Sequence, residues 1–105
     1  MSLSHFAVAD DKAEFSFYLF QEGLPKQHVV LNINGSKYAS TDRDGNIRGM
    51  LDSGEYKFSF DDSESGLPLF DLPYWFVETE KAQFIVTFYS DNRKPVVETE
   101  TSHQD

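Results

Sequence analysis

The groups able to do chemistry are few in kind. The chain of 105 residues has three histidines, no cysteine, and eighteen acids against nine lysines and arginines. His5 and His103 lie towards the two ends, and His28 opens an alternating apolar run. No register gathers them into a metal set or a triad, so they are expected to face solvent. Without cysteine there is no disulfide, thiolate ligand or thiol nucleophile. The acids fall in pairs: Asp10/Asp11, Asp61/Asp62, Glu78/Glu80 and Glu98/Glu100. Glycoside hydrolysis needs two carboxylates facing one sugar across a few ångströms. Glu78 and Glu80 share a face of an expected strand, where alternating acids read as its solvated side. No catalytic residue is assigned, and the chain is not expected to be an enzyme.

One stretch partly matches a calcium loop. Ser40-Thr41-Asp42-Arg43-Asp44-Gly45 offers oxygens at positions one, three and five, with glycine at six. The bidentate acid belongs at position twelve, which is Leu51, and Asp52 comes one place late. Turn chemistry accounts for the same Asp and Gly residues. No metal and no cofactor are expected.

The stretch best suited to binding is Leu67 to Phe76. Leu69, Phe70, Leu72, Tyr74 and Trp75 concentrate apolar area beside Pro68 and Pro73. Exposed, these residues would make a protein-partner patch or a sugar-stacking platform. Folded over one end of the domain, they would cap the core. The residues alone leave both readings open.

The elements that must position this stretch are strands. Ten Phe, five Tyr and one Trp suit pleated, half-buried surfaces. Alternation marks strands at Glu14–Phe20, Gln27–Asn34, Lys37–Thr41, Asn46–Leu51, Glu55–Asp61, Tyr74–Glu80 and Ala82–Tyr89. Asn34-Gly35 and Asp44-Gly45 are hairpin signals, and Ser53-Gly54 is a further break. Asp62 to Pro73 is expected to be one long connection, barred from helix by its prolines. Seven strands with regular turn signals predict an all-β, two-sheet Greek-key sandwich. The expected core is Phe15, Phe17, Leu19, Val29, Leu31, Ile33, Tyr56, Phe58, Phe84, Val86 and Phe88. The division expected is a lead-in over 1–12, the sandwich over 13–97, and an acidic linker or tail over 98–105.

A formal net charge of −9 argues against nucleic-acid or anionic-lipid partners, which need clustered Lys and Arg. No run approaches the roughly 20 apolar residues of a membrane span, so no membrane insertion is expected. Met1 to His5 lacks the basic and apolar regions of a signal peptide.

The order of features resembles a known family. It runs Phe15-x-Phe17, Gly23-Leu24-Pro25, Val29-x-Leu31-x-Ile33, Ser40-Thr41-Asp42-x-Asp44-Gly45, then Leu51-x-Ser53-Gly54-Glu55-Tyr56-x-Phe58. Over roughly residues 13–89 this is similar to the carboxypeptidase regulatory-like or prealbumin-like domains, close to the B-repeats of Gram-positive collagen adhesins. The stretch from Gln83 through Pro95, with its acidic continuation, also resembles the N-terminal periplasmic extension of some TonB-dependent receptors. The resemblance implies a seven-stranded, prealbumin-like sandwich serving as an accessory module in a periplasmic or extracellular bacterial protein. Departures limit it. Adhesin repeats often join a first-strand Lys to a last-strand Asn or Asp, but here Lys12 precedes the first strand and Asn92 follows the last. The prealbumin-like urate-pathway hydrolases need a His and Arg constellation and a Tyr-Arg-Gly-Ser ending, and no zinc-peptidase motif is present either.

The function expected is therefore non-enzymatic interaction or spacing within a larger extracytoplasmic or outer-membrane protein. Its partners would be other domains of that protein or a receptor. The alternative is a carbohydrate-binding module using Tyr74, Trp75 and Phe70.

Overall fold

Period-two alternation decides which side chains go inside. In β1 (Ala13–Gln21), Ala13, Phe15, Phe17 and Leu19 are buried, while Glu14, Ser16 and Tyr18 take the other face. The same rule runs through β3 (Val29–Ile33), β6 (Gly54–Asp62) and β8 (Glu80–Phe88). Shorter or more exposed strands complete the set: β2 (Leu24–Pro25), β4 (Ser36–Ser40), β5 (Asn46–Leu51), β7 (Pro68–Phe76) and β9 (Val96–His103). This computed structural model describes residues 12–91 and 93–103, among which there is no helix. Residues 1–11, with His5 and nearly all of the expected lead-in, lie outside the described residues, as does Asn92.

The strands form two sheets. In the first, β1 has β5 and the short β2 along one edge and β8 along the other, with β9 beyond β8. The β1–β8 pairing is parallel, from Glu14↔Lys81 to Gln21↔Phe88. The second sheet is antiparallel, in the order β4-β3-β6-β7. Between them the aromatic rings interlock. Phe17 stacks on Phe84 at 4.7 Å and meets Phe58 and Phe60 edge-on, each at 5.1 Å. Burying one such side chain contributes about 2–3 kcal/mol.

The all-β two-sheet sandwich is as expected, and every residue of the expected core is buried or packed against the core. The described residues hold nine strands rather than seven. Three local readings need correction. First, Asp44-Gly45 does not close a hairpin, because β4 lies in the second sheet and β5 in the first. The turn instead carries the chain across the sandwich. Gly45 sits at φ 75°, and a Cβ there would come within 2.6 Å of the Leu19 carbonyl oxygen. The true two-residue hairpins are Glu22-Gly23 and Asn34-Gly35, with both residues of each at positive φ, as a type I′ turn requires.

Second, the expected long connection is mostly strand. β7 pairs with β6 from Gly54↔Phe76 to Asp61↔Pro68, with a bulge near Leu69. An edge strand tolerates proline where the missing N–H would point away from its neighbour. The Asp62 N–H donates to the Leu67 carbonyl, so the next pair, Asp61–Pro68, is of the non-hydrogen-bonded kind. Pro73 comes five positions after Pro68, an odd step that would put them in opposite phases. The extra residue of the bulge brings Pro73 into the same outward phase.

Third, residues 98–103, part of the expected acidic linker or tail, are strand. They belong to β9, which pairs with β8 in unbroken register from Thr87↔Val96 to Glu80↔His103. The acids hid this strand, since a solvent-exposed edge needs no apolar alternation.

Candidate functional site

Within the Leu67–Phe76 segment all but Leu67 belong to the edge strand β7, and its side chains divide between two faces. Phe70, Leu72 and Tyr74 pack against the core, and Phe76 is fully buried. Phe70 lies flat on Phe60 at 4.8 Å and edge-on to Phe88 at 5.5 Å. Tyr74 meets Phe76 and Phe84 edge-on. Trp75 takes the opposite face and is 67% exposed. Tyr74 and Phe70 therefore cannot join Trp75 in one flat sugar platform.

Two depressions flank the strand. On its inner side, Leu69, Phe70, Asp71 and Leu72 line a cleft of about 560 Å³ with Arg93, Lys94, Pro95 and Val97. The floor is apolar and the lip cationic. Arg93 is held in place: its guanidinium bonds Asp91 at 3.0 Å and lies 4.1 Å from the Tyr89 ring centroid. That hydrogen bond keeps the Asp91 carboxyl below the usual carboxylate range. Among the described residues Lys94 has no ion-pair partner. On the outer side, beside Trp75, Asn34, Glu55, Tyr56, Lys57, Asp71 and Pro73 line a second depression of about 560 Å³. The Lys57 ammonium sits 3.4 Å from the Asp71 carboxylate there.

A buried acid fixes the end of β7. Glu80 is 5% exposed, and its carboxylate accepts from the Val77 N–H at 2.9 Å and from the Tyr74 hydroxyl. Burial first, then that hydrogen bond and the carboxylate's charge, push the Tyr74 phenol up to about 12. Thr79, at φ 60°, turns the chain so that Glu80 enters the core. The expected shared face for Glu78 and Glu80 is thus wrong: Glu78 is exposed in the turn and Glu80 is inside. The phase of Glu80 carried the signal, since it continues the series Ala82, Phe84, Val86 and Phe88. The lip of Arg93, Lys94 and Pro95 gave less notice, being a basic pair just ahead of Val96-Val97.

The remaining candidates stay apart. Asp42 Oδ1 accepts from the N–H groups of Asp44 and Asn46, at 2.9 and 3.0 Å, so the Ser40–Gly45 turn uses its own carboxylate. His28 is exposed at φ 63°, just before β3. Among the described residues no three His, Asp or Glu side chains are grouped to hold a metal ion. No family model and no curated protein matches the chain.

Proposed function

We propose that this sandwich is a non-enzymatic binding module of a larger bacterial extracytoplasmic or outer-membrane protein, of the carboxypeptidase regulatory-like or prealbumin-like kind. Its side cleft docks an extended polypeptide segment from another domain or a receptor. One observation carries the reading: an apolar floor of Leu69, Phe70, Leu72 and Val97 lies open beside the cationic lip of Arg93 and Lys94. In a chain of net charge −9, Lys94, whose ammonium has no ion-pair partner among the described residues while Arg93 is paired with Asp91, favours beside this apolar floor a segment that alternates apolar and acidic side chains. The ring stacking beneath Phe70 holds the floor rigid, so little ordering is needed on binding. The extracytoplasmic address rests on the family resemblance.

A second reading has its own support. Trp75 is exposed beside a depression in which Glu55, Lys57, Asp71 and Asn34 stand around the apolar surface of Tyr56 and Pro73. A sugar ring stacked on Trp75 would find hydrogen-bonding groups close by.

Amide chemical-shift mapping separates the two. A peptide alternating Leu and Glu should move the amides of Leu69, Leu72, Lys94 and Val97, and Lys94→Glu should abolish the response. Trp75 is the only tryptophan, so its fluorescence reports the other surface alone. An oligosaccharide that changes that fluorescence, with a silent peptide titration, would replace the first reading with the second. Silence from both probes at millimolar concentration would refute both.

A further inference from the structure

The free edges of the sheets are unequally protected. An unpaired edge strand invites another chain, and proteins block such edges with proline, bulges, shortness or charge. β7 carries two outward-phase prolines and a bulge. β4 has five residues and an irregular register, and β5 has six. β9 differs: it has eight residues, no proline, and a register with β8 free of shifts. Among the described residues no strand pairs with the outer edge of β9, and residues 98 to 102 are exposed on both faces.

The charges on β9 select the occupant. Glu98 and Glu100 lie on the outer face, and their cross-strand neighbours on β8 are Ile85 and Gln83. The nearest lysine along that face, Lys81, is directed to Glu14 at 3.8 Å. Neither Glu98 nor Glu100 has an ion-pair partner among the described residues. A second copy of the chain is a poor occupant. An antiparallel β9–β9 pairing centred on residue 98, 99 or 100 opposes Glu98 to Glu98, Glu98 to Glu100, or Glu100 to Glu100. Like charges directly opposite are destabilising.

We infer that β9 is a site of strand addition for an extended segment carrying Lys or Arg at alternate positions. Main-chain bonds to the free edge supply the docking, and two cross-strand ion pairs with Glu98 and Glu100 set register and selectivity. The site adjoins the side cleft at Val97 but requires no occupant there.

The test uses the intact chain and two peptides, one alternating Thr with Lys and one alternating Thr with Glu. Hydrogen exchange is followed residue by residue. The Lys peptide should slow exchange at alternate β9 amides within residues 97–102 and leave Leu69 and Leu72 unchanged. Glu98→Gln with Glu100→Gln should weaken it roughly tenfold, as expected for two cross-strand ion pairs. Glu98→Lys should make the chain dimerise in sedimentation, because lysine then faces Glu100 of a second copy twice. Equal binding of both peptides would overturn the inference, as would Lys-peptide binding without β9 protection. Binding only at the side cleft would likewise overturn it and would leave the docking proposal for that cleft standing.

Discussion

The pairing of Tyr74 with Glu80 is where stability and pH response meet. Replacing Glu80 with Ala removes the acceptor of two donors, the Tyr74 hydroxyl and the Val77 N–H. Each donor left unsatisfied costs about 1–3 kcal/mol, with Val77 at the low end because water reaches it. The sum is about 2–4 kcal/mol, which lowers Tm by roughly 10–25 °C in a domain this small. Tyr74→Phe keeps the ring against Phe76 and Phe84 and should cost about 1–2 kcal/mol. Chemical denaturation of the two single variants and the double variant should give a coupling of about 1–2 kcal/mol. The pH response follows from the phenol, raised to about 12 in the fold against an ordinary value near 10. The fold thus favours protonated Tyr74. Its contribution is complete below pH ~10 and is lost as pH rises through about 12. A two-unit shift corresponds to about 2.7 kcal/mol at most, and solvent screening around this part-buried ring reduces that to about 1. The absorbance difference between the wild type and Tyr74→Phe isolates this one phenol. Titration near 10, with zero coupling in the mutant cycle, would refute the reasoning.

Phe58 touches Phe15, Phe17, Phe76 and Phe84, so Phe58→Ala should destabilise by about 3–5 kcal/mol in urea unfolding. Gly45→Ala should cost about 3 kcal/mol, since it adds a left-handed penalty to an overlap with the Leu19 carbonyl; a loss under about 1 would show that the turn relaxes freely. Asp42→Ala should cost about 1 kcal/mol through its two backbone bonds, and sub-millimolar calcium should leave Tm unchanged; a calcium-dependent rise abolished by Asp44→Ala would contradict this.

The core was legible because burial leaves a period in the sequence. Phe15, Phe17 and Leu19, or Phe84, Val86 and Phe88, announce their face two residues at a time. Sheet membership was not legible. Nothing in Lys37–Thr41 or Asn46–Leu51 records that one strand joins β3 and the other joins β1, because both routes bury the same side chains. The binding candidates were half legible. Leu69, Phe70, Leu72, Tyr74 and Trp75 stood out by apolar weight. The prolines argued for a loop, and only the pairing with β6 shows that Phe70 and Trp75 face opposite ways. Glu80 was misplaced because its charge was weighed above its phase.

The strand directions also decide how the domain bears load. Tension applied between Ala13 and His103 acts first on β9, whose far end lies beside Glu80. An antiparallel pair pulled from one end opens like a zipper, one hydrogen bond at a time. Once β9 has peeled away, force runs between the start of β1 and the end of β8. Those strands are parallel, so they are pulled lengthwise past each other and all their bonds are loaded together. The module therefore contains a soft seam in series with a hard one. Stretched in a single-molecule experiment, it should release a short length at low force and hold the rest until a much higher one.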